Sequence, residues 1–212
     1  MDQILERPAL AAFLTLALLS AAAYLLLTLR PPSDLRSLVK TIPVASLGLA
    51  AAVLGAPALL VVALLLGALG DFALSRPKEL AFLAGLASFA VSHLAYLALL
   101  IGTGSDWPSV PVVIALLGFT GVMVALLLPA TGKLRAPVLV YVVLIAAMGL
   151  AALGHPDPRV TVAALLFLMS DSLLATELFL IRDDHPARPP VARAVWITYI
   201  AAQAGFFVAF LP

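Results

Sequence analysis

Long apolar runs alternate with short polar breaks along almost the whole chain. A helix that crosses a bilayer needs roughly 20 mostly apolar residues. That ruler predicts eight spans, over residues 8–29, 35–54, 57–75, 80–101, 108–128, 134–153, 159–181 and 191–210. The breaks carry turn chemistry: Pro31-Pro32-Ser33-Asp34, Gly55-Ala56-Pro57, Ser75-Arg76-Pro77, Gly102 to Ser105, Pro129 to Gly132, Gly154 to Pro158 and Asp183 to Pro190. Gly55-Ala56-Pro57 is the weakest of them. Short loops predict that successive helices are antiparallel neighbours, and no stretch is left over for a soluble domain. The expected architecture is all-α, a polytopic membrane helix bundle with eight transmembrane helices, forming a single integral-membrane domain over residues 1–212.

Composition agrees with the pattern and narrows the chemistry. Only 11% of residues are charged and 64% are hydrophobic, whereas soluble domains carry about a quarter charged residues. A net charge of +1 with no basic cluster argues against nucleic acid as a partner. The absence of cysteine excludes disulfides, thiolate metal sites and cysteine nucleophiles. No phosphate loop or dinucleotide fingerprint is present. The three histidines lack paired metal-ligand spacing, so neither metal nor cofactor is expected. The leader Met1–Arg7 is net acidic and the run from Pro8 to Leu29 is long, which favours a retained first helix over a cleaved signal.

Charge also predicts orientation. With eight spans, Arg30, Arg36, Lys40, Arg76, Lys78, Lys133, Arg135, Arg182, Arg188 and Arg193 fall on one side, and only Arg7 and Arg159 on the other. Basic residues accumulate on the cytoplasmic side, so both termini are expected outside. A four-plus-four pseudo-repeat is also suggested. Leu65-Leu66 precede Asp71 and Leu74 as Leu165-Leu166 precede Asp171 and Leu174, and the third and seventh helices would run in the same direction.

The polar residues inside these spans are the functional candidates, because ionisable groups within a membrane are costly and mark sites. At about 1.5 Å of rise per residue, Asp171 lies roughly 15 Å from the cytoplasmic end of its helix, Asp71 about 6 Å and Lys40 about 7 Å. Phe82, Gly85, Phe89, His93 and Tyr96 share one helical stripe, and Tyr199 and Gln203 share another. Tyr141 stands on the sixth helix, while Ser170 and Ser172 flank Asp171. Plainer readings stand beside these. Asp171 could be a structural acid or could pair with Lys40, Asp71 a solvated helix end, and Lys40 a snorkelling cation. The His93 stripe could be packing, and Tyr141, Tyr199 and Gln203 helix–helix hydrogen-bonding groups. Glu177 reads as interfacial, and His155 and His185 as loop residues.

Two intramembrane carboxyls suit acid–base work, one protonated as a general acid and the other ionised to activate water. Without a nucleophile elbow or a histidine cluster, acyl-enzyme and metal hydrolases are disfavoured. A proton-coupled transporter using Asp171 and Lys40 as a relay pair remains a second class. An intramembrane aspartyl protease fits less well, because Ala68-Leu69-Gly70 stands where a Gly-x-Gly lead-in to Asp71 is expected.

Gly70-Asp71-x-x-Leu74, the Phe82/Gly85/Phe89/His93/Tyr96 face, Phe167-x-x-Ser170-Asp171-Ser172-x-x-Ala175 with Phe179, and Tyr199 with Gln203 together resemble the YhhN-like lysoplasmalogenase family of eight-helix membrane proteins. Lys40-Thr41-Ile42-Pro43 resembles that family's lysine–proline element, with the proline displaced. The resemblance runs from about Lys40 to Gln203. It implies a hydrolase of the bacterial cytoplasmic membrane that cleaves the vinyl ether of lysoplasmalogen. The products would be a fatty aldehyde and glycerophospho-ethanolamine or glycerophospho-choline. By the same resemblance Asp71 and Asp171 are the catalytic pair, which leaves open which of them is the acid. Burial favours the protonated form of a carboxyl, so the greater depth of Asp171 narrowly favours it as proton donor. Lys40 would hold the lipid phosphate, and His93, Tyr96 and Tyr141 would orient the headgroup or water. Ser170, Ser172, Tyr199 and Gln203 complete the substrate-contact candidates, and the apolar stripe around Phe82 and Phe89 would line a chain channel. A related lysophospholipid is the alternative substrate.

Overall fold

The structure, a computed structural model, describes residues 8–211. The leader and the outer-side assignment of Arg7 lie outside the described residues. Among those residues the chain forms eight α-helices and no strand. They are α1 (Pro8–Leu27), α2 (Asp34–Leu54), α3 (Ala58–Leu74), α4 (Glu79–Gly102), α5 (Val110–Leu127), α6 (Arg135–Leu153), α7 (Pro158–Phe179) and α8 (Arg188–Ala209). Seven are long and apolar enough to cross a membrane. The exception is α3, with 17 residues. At about 1.5 Å per residue it stands at the lower limit of a span, because Pro57 sets its start and Ser75-Arg76-Pro77 its end.

The helices gather into two compact units. One runs through Tyr96 and takes up the chain again at Phe206, and the other is Leu97–Gly205. In the first unit α1 packs on α2 and α2 on α3. After Pro31-Pro32, Ser33 caps α2 by accepting the Arg36 amide at 3.2 Å. Arg36 reaches back to the end of α1, donating to the carbonyls of Leu27 at 3.2 Å and Thr28 at 3.1 Å and lying over the Tyr24 ring. One side chain thus supplies donors to two carbonyls at a helix end, one of which also accepts the Arg30 amide at 2.9 Å.

The break judged weakest from sequence is sharply made. Gly55 adopts φ 72°, and the amides of Gly55 and Ala56 donate back to the carbonyls of Ala52 and Ala51. That left-handed cap favours glycine. Within α2, Pro43 cannot donate the bond its neighbours make to the carbonyl four residues back, and that carbonyl belongs to Val39, next to Lys40.

In the second unit α5 packs on α6, and α6 on α7. Two short 3-10 turns, Leu128–Ala130 and Gly132–Leu134, join α5 to α6, with Gly132 at φ 54°. Gly149 and Gly205 allow close approach to α7: a Cβ at Gly149 would meet Leu168 at 3.0 Å and one at Gly205 would meet Ala163 at 2.9 Å. Small residues at such crossings are how membrane helices pack closely. Much of α5 stays exposed, including Ile114, Leu117, Phe119, Val122 and Leu126, as suits a helix whose neighbour is lipid hydrocarbon.

Candidate functional site

The helix carrying Asp71 buries Leu60, Ala63, Leu64, Gly67, Ala68 and Gly70 along one stripe. That stripe has the three-and-four spacing of a packed helical face. Asp71 continues it and is only 2% exposed. Its carboxylate Oδ1 lies 3.4 Å from the Lys40 ammonium, which reaches it from α2 and is itself 17% exposed. An ammonium beside a buried carboxylate compensates its charge. Lys40 is therefore paired with Asp71, where the sequence had suggested a phosphate or Asp171 as its partner.

The stripe expected on α4 does turn inward. Gly85, Phe89, His93 and Tyr96 are buried and Phe82 is half-buried. Gly70 explains how Phe89 reaches the acid's neighbourhood: a Cβ at Gly70 would lie 2.6 Å from two carbons of the Phe89 ring. His93 places Nδ1 2.6 Å from the Phe89 carbonyl, which assigns its hydrogen to Nδ1 and leaves Nε2 as an acceptor in the neutral ring. Tyr96 stacks on Phe206 with ring centroids 4.3 Å apart. Two residues that the sequence reading passed over fasten this face. Ser88 Oγ donates to the Leu66 carbonyl at 2.7 Å and Ser92 Oγ to the Ala63 carbonyl at 2.8 Å, each tying α4 to α3. Two serines four residues apart in an apolar helix were the available signal.

In the second unit α7 buries Val160, Ala163, Ala164, Phe167, Leu168 and Ser170. Asp171 follows, half-buried. The Tyr141 hydroxyl, from α6, donates to Asp171 Oδ2. The flanking serines turn elsewhere. Ser170 Oγ donates to the Val195 carbonyl of α8 at 3.0 Å, and Ser172 Oγ to the Leu168 carbonyl of its own helix at 2.7 Å. Tyr199 and Gln203 are buried on α8. Tyr199 meets Phe167 edge-on at 5.7 Å and lies 6.0 Å from Trp196.

Of the candidates, then, Lys40 joins Asp71, Tyr141 joins Asp171, and His93 and Tyr96 join the α4 face. Ser170 and Ser172 spend their hydrogens on backbone carbonyls. Glu177, expected to be interfacial, lies 3.8 Å from Arg188, which also pairs with Asp183 at 2.7 Å. His155, read as a plain loop residue, ties its loop together: Nδ1 accepts the Asp157 amide at 3.1 Å, and Nε2 lies 3.2 Å from Thr103 Oγ1. Among the described residues no three His, Asp or Glu side chains gather as a metal site would require.

The arrangement offers acid–base chemistry twice over, in two dissimilar settings. A carboxylate beside an ammonium is a charge-compensated base, and a carboxyl beside a phenol has a neutral donor for company. The sequence profile of the YhhN family matches residues 35–210. No curated protein and no solved structure matches the chain.

Proposed function

The chain belongs to the YhhN family, and we propose that it is a lysoplasmalogenase-like membrane hydrolase. The substrate would be a lysoplasmalogen, cleaved at its vinyl ether to a fatty aldehyde and glycerophospho-ethanolamine or glycerophospho-choline. The observation that carries this reading is a carboxyl in each of two apolar helices, each supplied with a different hydrogen-bonding or ionic partner. Vinyl ether hydrolysis asks for that inventory. Asp171 delivers a proton to the vinyl carbon distant from oxygen, and the π electrons form the new C–H bond. The resulting oxocarbenium ion is captured by water, whose proton passes to the Asp71 carboxylate. The hemiacetal then breaks to aldehyde and alcohol: its hydroxyl proton returns to Asp171, and the Asp71 proton goes to the departing oxygen. No covalent enzyme intermediate is needed.

Lys40 pairs with the Asp71 carboxylate and, at its exposed flank, offers charge to the lipid phosphate. His93, Tyr96, Tyr199 and Gln203 would shape the headgroup and water environment. In the same reading the protein sits in the bacterial cytoplasmic membrane with both termini outside, and the matching burial of α3 and α7 supports a four-plus-four duplication.

Purified protein in detergent should release fatty aldehyde from lysoplasmenylethanolamine or lysoplasmenylcholine and leave a saturated ether analogue intact. No turnover in detergent, together with solute movement that depends on a proton gradient in vesicles, would replace the hydrolase by a transporter. Faster hydrolysis of an acyl lysophospholipid would keep the enzyme and change the substrate.

A further inference from the structure

We propose that Tyr141 is a positioning residue that fixes which oxygen of Asp171 carries the acid proton. The inference rests on the hydrolase reading for its consequence, though not for its geometry. The Tyr141 hydroxyl donates to Asp171 Oδ2. A phenol has one hydrogen to give, and a neutral carboxyl also has one. The carbonyl oxygen of a neutral carboxyl is a better acceptor than its hydroxyl oxygen, so a phenol donating to Oδ2 favours Oδ2 as the carbonyl oxygen. The neutral carboxyl therefore carries its proton on Oδ1.

The surrounding hydroxyls leave this role to the tyrosine. Ser170 and Ser172 flank the acid in sequence, yet their hydrogens go to the Val195 and Leu168 carbonyls. Thr176, one turn further along α7, gives its hydrogen to the Ser172 carbonyl. The Ser170 bond ties α7 to α8 beside the acid, and the phenol reaches the carboxyl from α6.

The first unit shows what a different partner does. Asp71 receives Lys40 from the helix preceding its own, as Asp171 receives Tyr141 from the helix preceding its own. The ammonium adds a full charge and can turn its three hydrogens toward either carboxylate oxygen. It compensates charge without distinguishing the oxygens. The phenol adds no charge and has a single directed hydrogen, so it distinguishes them. Proton transfer to carbon is directional and depends on near-attack geometry, which makes an oxygen-selecting partner useful at the acid and dispensable at the base.

The test compares wild type, Tyr141→Phe and a protein with 3-fluorotyrosine incorporated at position 141, which keeps the hydroxyl and nearly the same volume. Infrared difference spectra, with the Asp171 carboxyl band identified by its loss in Asp171→Asn, read the hydrogen bond directly. The band should shift in Tyr141→Phe and shift the opposite way with the more acidic fluorophenol. On lysoplasmalogen, kcat of Tyr141→Phe should fall about 10- to 100-fold, within the range of general acid–base contributions, with KM changed less than about twofold. An unmoved band in both variants overturns the proposal, as does the absence of any neutral Asp171 band in wild type. Unchanged kcat with raised KM also overturns it, making Tyr141 a substrate contact. If wild type releases no aldehyde while the band shifts as described, the hydrolase reading fails and the proton placement stands. If Tyr141→Phe does not fold, the fluorotyrosine protein alone decides.

Discussion

The helices α3 and α7 bury the same register: positions 60, 63, 64, 67, 68 and 70 in one, and 160, 163, 164, 167, 168 and 170 in the other. Each stripe then arrives at an aspartate. From there the two regions part. Asp71 is almost wholly buried and faces an ammonium, whereas Asp171 is half-buried and faces a phenol. The residue just before the acid differs too. Gly70 yields its space to the Phe89 ring, and Ser170 uses its side chain to hold the Val195 carbonyl. A common packing plan can therefore present one functional group in two chemical characters, because the stripe determines where the acid stands and its neighbours determine what it does.

The largest expected effects break the comparison at the acids themselves. Asp71→Asn and Asp171→Asn should each lower aldehyde release at least about 100-fold, the scale of a lost general acid or base, while circular dichroism and gel filtration stay unchanged. Full activity in either variant removes that acid from the mechanism.

Next in size is the ion pair. Lys40→Met removes the ammonium from a buried carboxylate and should cost about 3–5 kcal/mol. Adding Asp71→Asn should recover much of that loss, since the buried negative charge goes with it. Thermal unfolding of the two single variants and the double variant measures the coupling. Strict additivity would mean that Lys40 and Asp71 do not act as a pair.

The residue before each acid sharpens the contrast. Gly70→Ala drives a methyl into Phe89 and should destabilise by about 1–3 kcal/mol, the usual cost of overpacking. Ser170→Gly loses the bond to Val195 and should cost about 1 kcal/mol, plus up to about 1 kcal/mol for glycine within a helix. Equal, negligible effects at both positions would mean that the two surroundings differ less than their contacts indicate.

Smallest is the N-terminal cap of α7. Asp157 accepts from the Arg159 amide at 2.8 Å and from its guanidinium at 2.7 Å. Those bonds, the guanidinium's first, hold the Asp157 carboxyl below the usual carboxylate range. A depressed folded-state value means that the stabilisation is complete above the ordinary aspartate range near pH ~3.9 and is lost as pH falls through the folded value. The difference in melting temperature between wild type and Asp157→Ala should accordingly persist at neutral pH and close on acidification. A gap that stays constant down to strongly acidic pH would contradict the cap's electrostatic origin.

Much of this was legible in one dimension. Runs of apolar residues set the helices, and Pro31-Pro32, Gly55 and Asp157-Pro158 set their ends, because backbone chemistry at a turn is local. The inward stripe of α4 was readable from Gly85, Phe89, His93 and Tyr96, since helical periodicity converts spacing into a face. Asp71 and Asp171 stood out because a charge in an apolar helix needs a reason. The shortness of α3 was less legible, since a hydropathy window averages over many residues and does not resolve a helix end to within one or two of them.

What only the tertiary structure decided was who meets whom. Lys40 could have served a phosphate, the headgroup layer or either acid, and a long flexible side chain carries no mark of its partner. Tyr141 gave no sign that its hydroxyl belongs to Asp171, nor Ser170 and Ser172 that theirs do not. Ser88 and Ser92 became visible as α4–α3 ties only once the carbonyls of Leu66 and Ala63 stood opposite them. The sequence by itself determined the helices, their apolar faces and the two acids, because these follow from local geometry and from the cost of charge in hydrocarbon. The pairing that makes one acid a charge-compensated carboxylate and gives the other a directed neutral donor depends on side chains from different helices meeting within hydrogen-bonding reach. Distance in space does not follow from distance along the chain.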